Sequence, residues 1–436
     1  MNSLLRWMFA VLCTMALAFP ALAQPDWGLQ EGDGAFSGLA VRHLEWKMVE
    51  DDIAHYRFDV VVGPGKFDVI RIHRIVREQI PFQPIETVDG VLLLPGTPQF
   101  FETIFMAPLK SSVPPPDQSV VLFLAKNNID VWGMDYGSSF IPEKTTDFSV
   151  LKGWGVDKDA QHAETALTIA RQIRTRTGLG ASSAYRSGWV RGWGARDGLG
   201  RLHLLGYSYG VYIAYAVAGA ETQKPAGMRN IKGIIPVDST FKFEEASRRA
   251  TACKNAATYM AQLDAGVYQI GPGLGYQLGD LARSAPDGPS SLYPGLTNFQ
   301  AALDRGISGG IVAGVRDASG KPLDLLYTDA WLFVDLLRAG VPYRPQQSAF
   351  DSSAVQCDDP QVADVKFDDH LREIAVPIYY VGRSTLGYYA ATLTSSKDIS
   401  SLIVTKPAFA HADLFWARDA EKVVWKPILN WIMAHR

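Results

Sequence analysis

The sequence predicts an α/β fold, in which a mostly parallel sheet is flanked by helices and a mainly helical cap is inserted late in the chain. Two observations carry this prediction. Short apolar runs alternate with segments of helical periodicity between residues 90 and 240, and again after residue 376. Such alternation is typical of parallel strands joined by helices. Residues 240–370 lose this rhythm, which indicates an insertion.

The sheet is predicted to begin with antiparallel strands. Three successive segments have strand character and are separated by turns instead of helices: residues 43–49, 56–62 and 67–76. A fourth strand follows at 90–94, where a fully apolar run ends at Pro95-Gly96-Thr97-Pro98. Residues 90–94 would therefore be the first strand of the alternating part.

Helices and strands alternate from there. We predict helices at residues 120–128, 160–178 and 211–220, and strands at 130–135, 202–205 and 231–237. The helix at 160–178 rests on small and apolar side chains at helical spacing, from Ala163 to Ile173. Residues 180–200, rich in Gly, Ser, Arg and Trp, are interpreted as a surface loop.

The junction between strand 202–205 and its helix reads Gly206-Tyr207-Ser208-Tyr209-Gly210. A serine on a sharp strand-to-helix turn has a strained backbone, and side chains two residues away on either side would collide. Glycine at both positions removes the collision and leaves the serine hydroxyl exposed at the start of the helix. We therefore predict that Ser208 is a nucleophile.

The same five-residue pattern occurs again at Gly306-Ile307-Ser308-Gly309-Gly310. Residues 299–305 before it have helical character and run into a glycine, which is a stop signal for a helix. Because no strand precedes it, we interpret Ser308 as a chance match.

The chain is predicted to close with two strands and a helix. The strands are expected at residues 376–382 and 401–405, and the helix at 413–435. Asp413 is interpreted as the N-cap of that helix.

Residues 1–23 have the pattern of a secretory signal peptide. Arg6 precedes an apolar run at 7–19, and Ala21-Leu22-Ala23 stands before Gln24. The apolar run is too short to span a membrane comfortably. We expect cleavage after Ala23 and an exported protein, periplasmic or secreted, with no stable membrane span. The predicted organisation is a signal peptide at 1–23, a core at 24–239 and 371–436, and a cap or lid at 240–370.

The charge and cysteine content narrow the class of protein. Lys and Arg number 42 and Asp and Glu 45, for a formal net charge of −3. This balance implies no basic face, so we expect no nucleic-acid partner. Removal of the signal peptide leaves Cys253 and Cys357, an even number that favours a disulfide in an exported protein. Two separate buried thiols are the alternative.

The motifs occur in a familiar order. The Leu-Pro-Gly-Thr-Pro loop at 94–98, the Val-Trp-Gly-Met-Asp-Tyr strand at 131–136, the motif around Ser208 and a late His411 follow one another. This order resembles the α/β-hydrolase superfamily over residues 90–240 and 370–436. The resemblance implies that Ser208 attacks the substrate while His411 acts as the base.

The resemblance also implies an oxyanion hole. The backbone N–H of Tyr209, directly after the nucleophile, would be one donor. The second would come from the loop after the strand at 91–94. Because Pro98 has no N–H, Thr97 is the predicted donor and Gly96 the alternative.

The position of the triad acid departs from the commoner pattern of this superfamily. No Asp or Glu stands between residues 383 and 397, after the strand where most members carry the acid. Asp238 follows the strand at 231–237, where a minority of members place it, and is the predicted acid. Asp398 is the alternative, but it stands so close to the next strand that we do not expect it to reach back to the histidine.

We expect an exported serine hydrolase that cleaves a carboxylic ester of a largely apolar, small-molecule or lipid-like substrate. An amidase or peptidase with the same triad, and a non-catalytic binding protein, are the alternatives. No cofactor is predicted, and no metal, because His, Cys and Asp nowhere cluster at ligand spacing. Aromatic residues of the cap, from Tyr259 to Phe333, are expected to line the substrate pocket. The oligomeric state stays open.

Overall fold

The computed structural model describes residues 41–176, 200–271 and 273–436. The predicted signal peptide and nearly all of the loop predicted at 180–200 lie outside these ranges. Within them, no helix is both long and apolar enough to cross a membrane.

The strands number fourteen in the described residues. They are β1 Val41–Glu50, β2 Ile53–Val61, β3 Val69–Ile80, β4 Gln83–Pro84, β5 Asp89–Leu94, β6 Ile129–Asp135, β7 Leu202–Tyr207, β8 Ile231–Val237, β9 Gln269–Ile270, β10 Gly314–Arg316, β11 Pro322–Leu325, β12 Arg344–Pro345, β13 Ile378–Gly382 and β14 Ile399–Ile403.

The central sheet has the order β1-β2-β3-β6-β5-β7-β8-β13-β14, with β4 paired to β3. Strands β1, β2 and β3 are antiparallel, as predicted, and β3 is also antiparallel to β6. From β6 to β14 every neighbouring pair is parallel. The carboxyl ends of β5, β7, β8 and β13 therefore meet at one edge of the sheet.

Twelve α-helices occur in the described residues. They are α1 Phe101–Phe105, α2 Val120–Lys126, α3 Val156–Arg176, α4 Tyr209–Thr222, α5 Ala246–Asp264, α6 Leu274–Ser284, α7 Asn298–Ser308, α8 Ala330–Arg338, α9 Gln346–Cys357, α10 Tyr388–Thr392, α11 Asp413–Trp416 and α12 Lys426–Ala434.

The core lies on both faces of the sheet because side chains alternate along each strand. On one face, apolar side chains of β5, β7 and β8 such as Val91, Leu205 and Ile235 pack with α2 and α12. Helix α4 packs against β5, β7 and β8, and α3 packs against α4. Every residue of β5, β6 and β7 is buried, as expected of parallel strands covered on both sides.

Residues 240–370, called the inserted region below, lie between β8 and β13, which are neighbours in the sheet. The region holds α5 to α9 and two short strand pairs, β10 with β11 and β9 with β12. Its helical content agrees with the loss of strand–helix rhythm in the sequence.

The prediction of one helix at 413–435 was wrong. Helix α11 ends at Trp416, a π-helical turn covers Glu421–Trp425, and α12 begins at Lys426. The interruption coincides with a tertiary contact, because the Arg418 N–H donates to the Tyr327 carbonyl of the inserted region at 3.1 Å. Pro427 in the first turn of α12 also suits a new helix start.

Candidate active site

The site is built at the carboxyl ends of β7, β8 and β13. Tyr207 at the end of β7 pairs with Val237 at the end of β8, and Val237 pairs with Val381 of β13. The next residues continue this pairing, since the Ser208 N–H donates to the Val237 carbonyl at 3.0 Å. The Asp238 N–H donates to the Val381 carbonyl at 2.8 Å. Ser208 and Asp238 thus stand side by side at one edge.

Ser208 lies on a tight turn between β7 and α4, with φ 55° and ψ −115°. The flanking glycines have steric reasons. A Cβ on Gly206 would lie 2.2 Å from the Gly210 carbonyl oxygen, and a Cβ on Gly210 would lie 2.4 Å from the Leu94 carbonyl oxygen. Both distances are far below van der Waals contact, so this turn excludes larger residues at either position.

His411 lies in the loop between β14 and α11, beside the end of β8. Its Nδ1 is 2.7 Å from Oδ2 of Asp238, a hydrogen-bond distance. The ring of Tyr207, the residue before Ser208, stacks on the His411 ring with centroids 4.7 Å apart. The imidazole of His411 is therefore held by the Asp238 carboxylate at Nδ1 and by the ring of Tyr207 against its face.

The Asp238 carboxylate has a second partner, Arg383. The Arg383 backbone N–H donates to Oδ1 at 3.0 Å, and its Nε donates to Oδ2 at 2.8 Å. Although burial opposes ionisation, the His411 hydrogen bond and the Arg383 charge hold the pKa of Asp238 below its usual range. Asp238 is therefore an anion at neutral pH.

The sequence reasoning missed Arg383. It is the first residue after β13, where the superfamily resemblance placed an acid in most members. The same strand-end argument that selected Asp238 also brings the next strand end to this edge. That argument, applied to cations as well as acids, would have found Arg383.

The alternatives considered for the nucleophile and the acid lie elsewhere. Asp398 precedes β14, its carbonyl accepts from the Ile378 N–H at the start of β13, and its carboxylate is 3.0 Å from His435. It thus lies at the opposite edge of the sheet. Ser308 is the last residue of α7 in the inserted region, where Arg316 donates to its hydroxyl at 2.7 Å.

The loop after β5 passes close to Ser208. A Cβ on Gly96 would lie 2.9 Å from Cβ of Ser208 and 3.3 Å from its Oγ. The close approach brings the Gly96-Thr97 backbone next to the serine hydroxyl, where an oxyanion donor would be needed. On the other side, Tyr209 is the first residue of α4, and the first N–H groups of a helix have no partner within it.

This architecture also occurs in solved structures. A candidate lipase from Sulfolobus solfataricus superposes with a TM-score of 0.62 at 20% identity, covering 90% of this chain and 99% of that one. The chain has the α/β-hydrolase fold. Weaker matches include a soluble variant of monoglyceride lipase from Saccharomyces cerevisiae (TM-score 0.42, 12% identity, 91% and 96% coverage). MenH from S. aureus is another (TM-score 0.37, 14% identity, 80% and 96% coverage).

Sequence comparison adds nothing to this result. No protein-family model and no curated protein matches the chain.

In this hydrolase fold the inserted region holds the histidine loop through backbone contacts. The His411 N–H donates to the Gly310 carbonyl at 3.2 Å, and the Ala412 N–H donates to the Ile311 carbonyl at 2.7 Å. The buried Asp413 carboxylate accepts from the N–H groups of Ala410 and Ala313 and from the Thr328 hydroxyl. Asp413 was expected to cap a helix, but it joins the loop to the inserted region instead.

His55 of β2, His73 of β3 and Glu102 of α1 form a buried cluster. One ligand atom from each residue falls within 4.8 Å of the others, so the fold assembles a group of metal-ligand type that the sequence spacing did not reveal. The side chains of this cluster already form hydrogen bonds and ion pairs within the protein. The two histidines bond each other at 2.9 Å, and Glu102 is paired with Arg57 and Lys110. These contacts fit a structural polar network better than a cation site.

The aromatic residues expected to line a pocket mostly pack elsewhere. A cavity of about 480 Å³ lies between the loop after β5 and the inserted region, and Tyr276 is one of its lining residues. Phe333 is fully buried in the core, Trp331 packs on Phe299, and Tyr327 packs on Phe409. Most of the cavity wall is glycine, proline and aliphatic side chains, joined by two arginines.

Proposed function

We propose that this protein is a serine hydrolase that cleaves a carboxylic ester through an acyl-enzyme. One observation carries the proposal. His411 is 2.7 Å from Asp238, and Asp238 stands at the strand end beside Ser208. A nucleophile needs a base, and the base needs a group that fixes its tautomer. The fold shared with a candidate lipase is compatible with this chemistry.

The roles follow from the bonding capacity of each group. Nδ1–H of His411 donates to Asp238, which leaves Nε2 as the free lone pair to accept the Ser208 proton. The Ser208 oxygen then attacks the ester carbonyl carbon, and the negative charge moves to the carbonyl oxygen. The N–H groups of Tyr209 and Thr97 are the proposed donors to that oxygen, each worth about 3–4 kcal/mol of transition-state stabilisation.

The second half of the reaction reverses these transfers. The imidazolium of His411 returns its proton to the departing alkoxide, which leaves as the alcohol. Water then attacks the acyl-enzyme as His411 accepts its proton, and the acid is released while Ser208 regains its hydrogen. The Asp238 carboxylate stays ionised throughout and stabilises the imidazolium.

Covalent labelling tests the nucleophile. A fluorophosphonate probe should modify the peptide that contains Ser208, and Ser208→Ala should abolish both labelling and ester turnover. Ser308→Ala is the matched control, because Ser308 belongs to the second copy of the motif and lies on α7. Labelling of the Ser308 peptide would contradict the assignment.

The leaving group separates the proposed esterase from its alternatives. A panel of p-nitrophenyl esters of increasing chain length, with a p-nitroanilide of matched acyl group, should show turnover of the esters. Preference for the anilide would make the protein an amidase or peptidase. Absence of labelling and turnover with intact folding would favour a binding protein on a hydrolase fold.

We further infer that the protein is exported with cleavage after Ala23. The signal-like sequence at 1–23 and the Cys253–Cys357 disulfide support this inference. N-terminal sequencing of protein from the periplasm or the culture medium should begin at Gln24. Retention of Met1 in the mature protein would contradict export by this route.

A further inference from the structure

Two residues in the wall of the cavity of about 480 Å³ are connected to segments that carry the proposed catalytic residues. Pro98 in its wall follows Thr97, the proposed oxyanion donor, and its carbonyl accepts from the Val341 N–H at 3.0 Å. Ile311 in its wall holds the residue after His411 through the Ala412 N–H. The cavity therefore shares its wall with the loop after β5 and with the segment that bonds the histidine loop.

The charged residues that line the cavity are all positive. Arg344 and Arg305 both line it, and both side chains are half-buried. Among the described lining residues, only Tyr276 has a hydrogen bond to a carboxylate. Its hydroxyl donates to Glu143 at 3.4 Å, and this contact is exposed to solvent. Asp304, beside Arg305, is paired with Arg316 instead. In the described structure, neither lining arginine has an ion-pair partner.

Arg344 is fixed in place without being neutralised. Its backbone belongs to β12, which pairs with β9, and its Nε donates to the Ser348 hydroxyl at 3.0 Å. The guanidinium lies 5.9 Å from the ring centroid of Tyr209, the residue after Ser208. Burial lowers the pKa of Arg344, but a guanidinium stays protonated at neutral pH.

Three other arginines of the inserted region, Arg283, Arg316 and Arg338, are each paired with a carboxylate. Arg344 instead keeps Nη1 and Nη2 directed to no acceptor in the described residues. Arginine binds carboxylate and phosphate groups with two parallel hydrogen bonds, which these two nitrogens can supply. The compensating anion is then expected from the substrate.

We propose that the ester substrate carries an anionic group, a carboxylate or a phosphate, that binds Arg344 in this cavity with Arg305 adding to the positive charge. The inference rests on the proposed ester hydrolysis and names its substrate class. Aliphatic side chains such as Ile270, Leu337 and Val341 complete the wall. A short hydrocarbon spacer between the anion and the scissile ester would contact them.

A matched pair of substrates tests the anion. The mono-p-nitrophenyl ester of adipic acid carries a free carboxylate, and its methyl-capped counterpart is neutral and otherwise of similar shape. The wild-type enzyme should have a higher kcat/KM for the anionic ester. In Arg344→Met this preference should fall by about 10–100-fold, the range expected for one charge-assisted interaction. Arg305→Met should reduce it less.

Arg338→Met is the control. Arg338 lies in the same inserted region, at the end of α8, but its side chain is exposed and paired with Asp280. This variant should keep the wild-type preference. The p-nitrophenyl ester of 6-(phosphonooxy)hexanoic acid carries a phosphate in place of the carboxylate. The anionic ester with the higher kcat/KM then shows whether the site prefers a carboxylate or a phosphate. Equal kcat/KM for charged and neutral esters in the wild type would overturn the inference.

A binding measurement separates this inference from the proposed function. Calorimetric titration of Ser208→Ala with monomethyl adipate should show binding that weakens in Ser208→Ala/Arg344→Met and with added salt. If no ester is turned over but this binding is present and depends on Arg344, the anion site stands and ester hydrolysis falls. If neutral esters are turned over and no anion binds, the reverse holds.

Thermal unfolding distinguishes a loss of substrate binding in Arg344→Met from a loss of folding. Since Arg344 is not neutralised by the protein, Arg344→Met should unfold at the same or a higher temperature than the wild type. A lower unfolding temperature together with an equal loss of turnover on both esters would mean that Arg344 is structural, and would overturn the inference.

Discussion

Ser208 and Asp238 both have positive φ angles, 55° and 48°, at the ends of neighbouring strands. This region of backbone conformation is unfavourable for residues with a Cβ, at a cost of about 1–3 kcal/mol each. Such strain persists where the surrounding structure imposes it, and here the sheet bonds through Val237 and Val381 do so. The strained turn at each strand end directs its side chain to the same edge.

Asp238→Asn should keep the fold and lower ester turnover by about 10⁴-fold, the scale of this exchange in serine-protease triads. The amide can still bond His411, but it favours the wrong imidazole tautomer. Steady-state kcat with a p-nitrophenyl ester measures the loss. Asp398→Asn is the control, since Asp398 bonds His435 at the other edge, and a larger loss in that variant would transfer the role to Asp398.

Asp159 provides a pH-dependent test at a residue behind the site. It is buried in α3, accepts from the Tyr209 hydroxyl at 2.9 Å and from Trp154 Nε1 at 3.1 Å. Burial raises the pKa of Asp159 to about 7, against the lowering effect of these hydrogen bonds. The folded protein therefore binds a proton that the unfolded chain has lost, from about pH 4 to pH 7.

The stability conferred by this proton is fully present below about pH 4 and is lost progressively as the pH rises to about 7. Asp159→Asn removes the effect, so between pH 5 and pH 8 the variant should gain about 3 kcal/mol of unfolding free energy relative to the wild type. Urea unfolding at the two pH values measures this. A difference between variant and wild type that is the same at both pH values would show that Asp159 is ionised in the folded protein at pH 5.

At the scale of elements, the inserted region is tied together at its two ends. Helix α5 near its start and α9 near its end pack against each other and are joined by the Cys253–Cys357 disulfide. Between these helices, the segment around Ile311 contacts the histidine loop. A clamp across the ends of the insertion thus limits the freedom of the segment that positions His411.

Removing the disulfide tests this clamp. The two cysteines are 104 residues apart in sequence, so the chain-entropy model gives a loss of at most about 4–5 kcal/mol in unfolding free energy for Cys253→Ser/Cys357→Ser. Urea midpoints of the oxidised wild type and the double variant give the difference. Two freely alkylated thiols in the purified wild type would show that the bridge does not form.

At the scale of the whole molecule, the carboxyl and amino ends of the parallel strands carry different groups of residues. The carboxyl edge carries Ser208 and Asp238, while Asp130 near the start of β6 anchors a buried charge network. Arg74 binds Asp130 through two bonds of 3.0 Å, and Arg174 of α3 adds a third of the same length. This network fastens α3 to the sheet far from the strand ends that form the site.

Asp130→Asn should lower the unfolding free energy by about 3–5 kcal/mol, because two buried guanidinium groups lose their counter-charge. Turnover by the folded protein should change little. Asp59→Asn is the control, since the partly exposed pair of Asp59 with Arg71 should contribute only about 0–1 kcal/mol. Equal losses from the two variants in urea unfolding would contradict a special role of burial.

By itself the sequence determined the strand–helix order, the antiparallel start of the sheet and the strand–turn–helix around Ser208. These features depend on local periodicity and on glycine at fixed offsets, so β8 was predicted at the residues where it occurs, 231–237. The separate position of Ser308 was also predictable, because the residues before it are helical.

Only the tertiary structure decided which acid meets His411, since Asp238 and Asp398 are distinguished by strand order and direction. It also decided the break after α11, which coincides with a contact with Tyr327. Likewise it placed Arg344 and Arg305 in one cavity and most of the expected aromatics in the core. Each of these depends on contacts between residues far apart in the chain, and a local pattern does not encode such contacts.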